Sequence, residues 1–129
     1  MPDSTLNFTG ADSYLRAAMS GLAARQRAIA NNVANVDTPN FKASEVRFED
    51  ALKSAMSSGS PGSTPDQSNL NAAAARSTLI DATALRADGN NVDIDREMAM
   101  LSETNLSFSA MAQIMTTRIG ILRNVITGR

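Results

Sequence analysis

From about Ala11 onward, apolar side chains return at alternating steps of four and three: Leu15, Met19, Leu22, Gln26, Ile29, Val33 and Val36. That rhythm draws one stripe along one face of a helix, with Gln26 as its single polar member. Arg16, Arg25 and Arg27 fall on the opposite face and read most simply as solvated charge. The same rhythm returns near the other end of the chain, through Ile94, Met98, Leu101, Asn105, Phe108, Ala112, Met115, Ile119, Leu122 and Ile126. Asp93, Asp95 and Glu97 crowd the start of this second stripe, where negative charge suits the positive end of a helix dipole. Gly128 can end the helix in a left-handed cap. A helix of about 34 residues is ~50 Å long at ~1.5 Å per residue.

Between the stripes the pattern breaks. Asn31, Asn32 and Asn35 lie within five positions of one another, and Thr38-Pro39 follows. Asparagine competes with the helix for backbone hydrogen bonds, and a proline biases its predecessor away from helical geometry. The first helix is therefore expected to fray near Asn35 to Asp37, with residues 38–47 extended or turn-like. Phe48, Ala51, Leu52, Ala55 and Met56 recur at helical spacing and predict a short helix. The run SSGSPGSTPDQSN, residues 57–69, has the composition of a linker or surface loop, and residues 70–87 mix alanine with β-branched residues and predict neither state. DGNN, residues 88–91, is a turn signal.

The predicted fold is mainly α. Long N- and C-terminal helices pack as an antiparallel coiled-coil-like hairpin, with an extended, loop-rich middle segment and a short helix. In segments, this gives a flexible N-terminus at 1–10, an axial helix at 11–36, a turn, extended stretch and short helix at 37–56, a flexible and ambiguous segment at 57–92, and a second axial helix at 93–127. An antiparallel hairpin brings Gln26 and Asn105 to nearly the same level. They are expected to face one another and help fix register, with Glu103 near Arg25 and Arg27.

Composition narrows the function classes. A chain of 129 residues is expected to form one domain or less, and its charge is balanced, 12 basic against 13 acidic residues. Neither a nucleic-acid binder nor a polybasic membrane anchor fits that balance. Apolar residues make up 43%, yet much of this is alanine and aromatics are only 4%, so the core material is thin and burial against other chains is expected. Cysteine and histidine are absent, which removes thiolate chemistry, the usual zinc sites and the usual general base. No cofactor is implied, and no enzyme activity. The acidic run from Asp88 fails the calcium-loop pattern, because Asp93 and Ala99 stand where that loop needs glycine and glutamate. Met98, Met111 and Met115 follow the stripe and read as packing residues. The sequons at Asn7 and Asn105 read as chance. No run approaches ~18 apolar residues, and the opening MPDSTLNFTG lacks a Sec-type signal pattern.

The stretch RQRAIANNVANVDTPNFKASEVRFEDAL, residues 25–52, resembles the N-terminal signature of bacterial flagellar rod and hook proteins. Ala30, Asn32, Val33, Ala34, Asn35, Thr38, Pro39, Phe41, Lys42 and Ala43 occupy its conserved-type positions as an assembly motif. Arg25-Gln26, the run Phe48 to Leu52 and the stretch Gly89 to Met98 are similar to the proximal-rod branch of that family. The resemblance covers residues 11–52 and 88–127. It implies a structural subunit of the flagellar basal body, whose terminal helices pack together and which polymerises with other rod proteins to transmit torque across the periplasm. Implied partners are rod subunits of the FlgC, FlgF and FlgG types, the adaptor FliE and the membrane ring, with the type III export apparatus met in transit and no cleaved signal. Nucleic acid and direct membrane insertion are not implied. The rival readings are a soluble helical export chaperone or adaptor, and a sister proximal-rod subunit. The turn after the asparagines is expected to send Phe41 to Leu52 outward, onto adjacent subunits, and the free monomer to be partly unfolded.

Overall fold

A computed structural model describes residues 8–58, 72, 77–80 and 86–128. In chain order its elements are helix α1 (Phe8–Ala34), strand β1 (Ser44–Val46), helix α2 (Glu49–Ser58), strand β2 (Ser77–Leu79) and helix α3 (Ile94–Thr127). Three side-chain contacts set the direction of the long helices: Asp12 with Arg118, Gln26 with Asn105, and Asn32 with Glu97. Their order reverses from one helix to the other, so α1 and α3 are an antiparallel pair, as the two stripes require.

Among the described residues α1 runs from Phe8, ahead of the expected Ala11, because an interior glycine such as Gly10 weakens a helix without ending it. Its last turn tightens: Asn35 N–H donates to both Asn31 O and Asn32 O, and Val36 N–H to Val33 O. Asn40 then takes φ 60°, a left-handed geometry that asparagine tolerates. At α3 the expected signals act as read. Asp93 caps the helix by accepting from Asp95 N and Arg96 N, and Gly128 ends it at φ 68°.

The middle of the chain differs from expectation. Residues 41–48 do not leave the hairpin. They fold back on α1, burying Ala43 and setting Val46 and Phe48 in one cluster with Ala18, Leu22 and Ala28. The physical reason is Gly21, which leaves room for the Phe48 ring. A Cβ there would stand far inside van der Waals contact with the ring carbons. α2 runs two residues past Met56 into the stretch read as a linker. Within the ambiguous segment, Ser77–Leu79 pairs antiparallel with β1, Ser44 opposite Leu79 and Val46 opposite Ser77. Its Thr78 is β-branched and suits a strand. Expectations for residues 1–7, 59–71, 73–76 and 81–85 lie outside the described residues.

Candidate functional site

The helices of the hairpin are tied at one end by a clasp of amide side chains. Asn32, one of the assembly-motif residues, is 1% exposed and stands in the last turn of α1. Its Oδ1 accepts from Ser44 N at 2.9 Å, while its Nδ2 donates to Ser44 O at 2.9 Å and to Glu97 Oε2 at 3.1 Å. The amide thus behaves as a neighbouring strand would toward β1. It also reaches a buried carboxylate on α3, and a buried carboxylate is costly without such a donor. A little further along β1, Arg25 donates twice to Val46 O at 3.1 Å, lies 5.0 Å from the Phe48 ring centroid and pairs with Glu49. Arg25 is therefore no solvated charge and does not turn toward Glu103. Its guanidinium holds the β1–α2 corner against α1.

The remaining asparagines divide the work. Asn35 Nδ2 bonds back to Asn31 O at 2.8 Å, and its Oδ1 accepts from Thr38 Oγ1 at 3.1 Å. These local bonds close the turn. The carbonyls of the turn that follows α1 are bonded again from a distant part of the chain. Asn90, fully buried, donates through Nδ2 to Asn35 O, Val36 O and Thr38 O at 2.9, 3.1 and 2.9 Å, and accepts from Val92 N at 2.7 Å. Asn91 plugs the end of the small sheet, accepting from Ala43 N at 2.6 Å and donating to Ile80 O at 2.8 Å. Lys42 Nζ donates to Gly89 O at 2.7 Å, and Asn40 N to Asp88 O at 2.9 Å. The stretch read as a plain turn is the cap of α1. Sequence spacing could not show that, because donor and acceptors are more than fifty residues apart.

Of the other motif residues, Ala43 is buried, Val33 and Phe41 are half-buried, and Ala30, Ala34, Thr38 and Pro39 are exposed. The stripe residues separate into two groups. On α1, Leu15, Leu22 and Ile29 are buried, and Met19, Gln26 and Val33 half-buried. On α3, Leu101, Phe108, Ala112, Met115 and Leu122 are half-buried, whereas Ile94, Met98, Asn105, Ile119 and Ile126 are exposed. The face that meets α1 is turned toward Glu97, Thr104, Met111 and Arg118. Thr104 satisfies its hydroxyl on Met100 O at 2.6 Å, which lets it be buried inside the seam. Gln26 Nε2 donates to Asn105 Oδ1 at 2.7 Å at the open edge of the pair.

Among the described residues, no group of three or more acidic, cysteine or histidine side chains could hold a metal. The acidic run diverges, since Asp93 caps α3 while Glu97 turns to Asn32. Arg47, hydrogen-bonded to Glu45 and held by its charge, is raised above the ordinary arginine value and stays a fixed cation. Amides, backbone groups and fixed charges hold geometry; the clasp is an architectural site. No described helix is long and apolar enough to cross a membrane.

Residues 15–42 match the family described as "Flagella basal body rod protein". The chain is 32% identical to the flagellar basal body rod protein FlgB of Bacillus subtilis (strain 168), over 94% of this chain and 96% of that one. It is 38% identical to the protein of that name from Borrelia hermsii, over 72% of this chain and 78% of the relative. For the Escherichia coli (strain K12) protein of that name the identity is 29%, over 88% and 90%.

Proposed function

Because the chain belongs to the FlgB family of flagellar basal-body rod proteins, we propose that it polymerises with other rod proteins through the apolar faces of α3 and helps carry torque across the periplasm. It is a structural subunit of the proximal rod of the flagellar basal body and not an enzyme. The export-chaperone or adaptor reading is not favoured, since the relatives are named as rod proteins. In the proposed setting the neighbours are rod subunits of the FlgC, FlgF and FlgG types, the adaptor FliE and the membrane ring. The chain reaches them through the type III export apparatus, without a cleaved signal.

The observation that supports polymerisation is the apolar surface along the second half of α3. Ile114, Ile119, Ile121, Val125 and Ile126 are all exposed, Val125 and Ile126 to 74% and 83%. So large a run of bare isoleucine and valine on one helix is a contact surface. The test is Ile121→Asp with Val125→Asp, introduced into the full chain in a motile strain. Both side chains already face solvent in the single subunit, so its fold should survive. Export should continue, incorporation into basal bodies should fail and cells should lose motility. Normal swimming with the variant present in the rod would overturn the reading.

A further inference from the structure

Asp88-Gly89 is the only place in the chain where an aspartate or an asparagine precedes a glycine. Such a pair carries a latent reaction. The glycine nitrogen can attack the aspartate Cγ, because no side chain on the glycine blocks the approach. A C–N bond forms, and a carboxyl oxygen leaves as water with the carboxyl and amide protons. The product is a five-membered succinimide ring. Water then opens the ring at either carbonyl. Opening at the side-chain carbonyl restores aspartate. Opening at the main-chain carbonyl leaves isoaspartate, in which the chain runs through Cγ and the former main-chain carbonyl is a free carboxylate. Water is the only co-reactant, and none is consumed overall.

Ring closure requires the Asp88–Gly89 peptide group to turn about the Asp88 Cα–C bond until its nitrogen lies over Cγ. In the folded chain that group is tied at both ends. Gly89 N–H donates to Arg86 O at 2.8 Å, and Asp88 O accepts from Asn40 N at 2.9 Å. The carboxylate is tied as well: Oδ1 accepts from Asn90 N at 3.1 Å, and Oδ2 lies 3.3 Å from Arg86 Nη2. Lys42 Nζ holds the next carbonyl, Gly89 O, at 2.7 Å. The turn needs a glycine here, since φ is 78° and a Cβ would press on Asn40 Oδ1. The same glycine makes the reaction open, and the bonds around it hold it off. We propose that Asp88 is a site of spontaneous isomerisation gated by the clasp. While the clasp is shut the residue stays aspartyl. Where the clasp is open the ring closes and isoaspartate accumulates. The product cannot rebuild the cap. Its main chain is one carbon longer between Asp88 Cα and Gly89, and the acceptor of the Asn40 N–H has become a charged side group. Asn90 is thereby displaced from the carbonyls to which it donates. The modification turns a reversible opening into a permanent one. It goes beyond the rod-subunit reading and does not depend on it, because every step lies within the single chain.

The purified full chain is held in heavy-oxygen water for several weeks at physiological temperature, both native and in urea. It is then digested in ordinary water, and the peptides are separated and weighed. Each passage through the ring adds a heavy oxygen at Asp88, and isoaspartate resists a protease that cleaves at aspartate. Uptake in the native chain should be at least about tenfold slower than in urea, the ratio reporting how rarely the clasp opens. Each variant is referred to its own rate in urea. Lys42→Met, at an exposed position, should keep the helical circular dichroism and speed native uptake several-fold. Asn90→Ala should speed it further. Asp12→Ala, at the far end of the hairpin, should leave it unchanged. Asp88→Glu should abolish uptake at this peptide. The isoaspartyl chain, isolated from urea and refolded, should lack the slow amide exchange at residues 28–34 that the aspartyl chain of the same sample regains. Equal uptake in native and unfolded chains, no response to Lys42→Met or Asn90→Ala, or an equal response to Asp12→Ala would overturn the gating. Absence of uptake in urea, or its persistence in Asp88→Glu, would overturn the site itself. Slow exchange regained by the isoaspartyl chain would overturn the permanent opening.

Discussion

Asn90 has one side-chain amide, which donates to three backbone carbonyls of the turn after α1 and accepts from the Val92 N–H. Truncation leaves the buried Val92 N–H without its acceptor and takes one donor from each carbonyl, which keeps a second in Thr38 N, Arg86 Nη1 and Phe41 N respectively. Asn90→Ala should therefore cost about 2 kcal/mol, within the range for one buried polar group left unmet. Asn35→Ala loses exposed local bonds and should cost under about 1 kcal/mol. Urea denaturation of the purified full chain separates the two, and equal shifts would contradict the cap assignment. Glycines give a second residue-scale contrast. In an ordinary helix interior, glycine to alanine gains roughly 1 kcal/mol. Gly120, with nothing within 4 Å, should follow that rule in the free chain. Gly21→Ala should instead destabilise by about 2 kcal/mol, because it displaces a ring whose full loss costs on the order of 3 kcal/mol. Sequence periodicity treats these two glycines alike; only the partner across the gap distinguishes them.

Register between α1 and α3 is held at several levels, and the levels are not equivalent. Gln26 with Asn105 is an edge pair in reach of water, whereas Asn32 with Glu97 is buried and tied to β1 as well. A buried bonded pair discriminates among registers more strongly than an exposed one, since a slipped register leaves it unmet. Replacing Gln26 and Asn105 together with leucine should leave register unchanged, while Asn32→Leu should loosen it. The readout is a disulfide between Asp12→Cys and Arg118→Cys, which are in contact at the far end of the pair. Its yield should hold in the first background and drop several-fold in the second. The hairpin itself was legible in the sequence because both stripes keep the same rhythm and end in clear signals at Asp93 and Gly128. The Gln26–Asn105 meeting followed from level matching alone. Glu97 and Thr104 inside the seam did not, because periodicity identifies an apolar stripe without saying which partner covers which edge. The stripe on α3 is wider than one helix can cover, so its inward line could not be read from spacing. β2 and the Asn90 cap were hidden for a related reason: each is completed by residues far away in the chain.

Across the whole molecule, support is concentrated at one end. The clasp joins the end of α1, β1, β2 and the start of α3 through buried amides, and Phe48 adds its ring beside Gly21 and Leu22. Toward the other end, α3 passes Arg118 and its contact with Asp12, then carries Ile119, Ile121, Val125 and Ile126 into solvent. A helix whose apolar face lacks a partner loses most of what holds it, because isolated helical turns are marginal in water. Opening should therefore be local and graded. In the free full chain, amide hydrogen exchange is expected to be slowest at residues 28–34 and 97–105, and fast from Ile119 to Thr127. Assembly should reverse this at the far end, where protection rises when neighbouring chains cover the isoleucines, while the clasp changes little. This gradient also refines the expectation of a partly unfolded monomer. It places the disorder-prone part on α3 beyond Arg118 and keeps the asparagine end closed. Uniformly slow exchange along α3 in the free chain would show that the subunit completes itself without neighbours. Uniformly fast exchange would show that the buried amides do not hold the hairpin shut. An unchanged far end after incorporation into basal bodies would remove the role given to the exposed isoleucines.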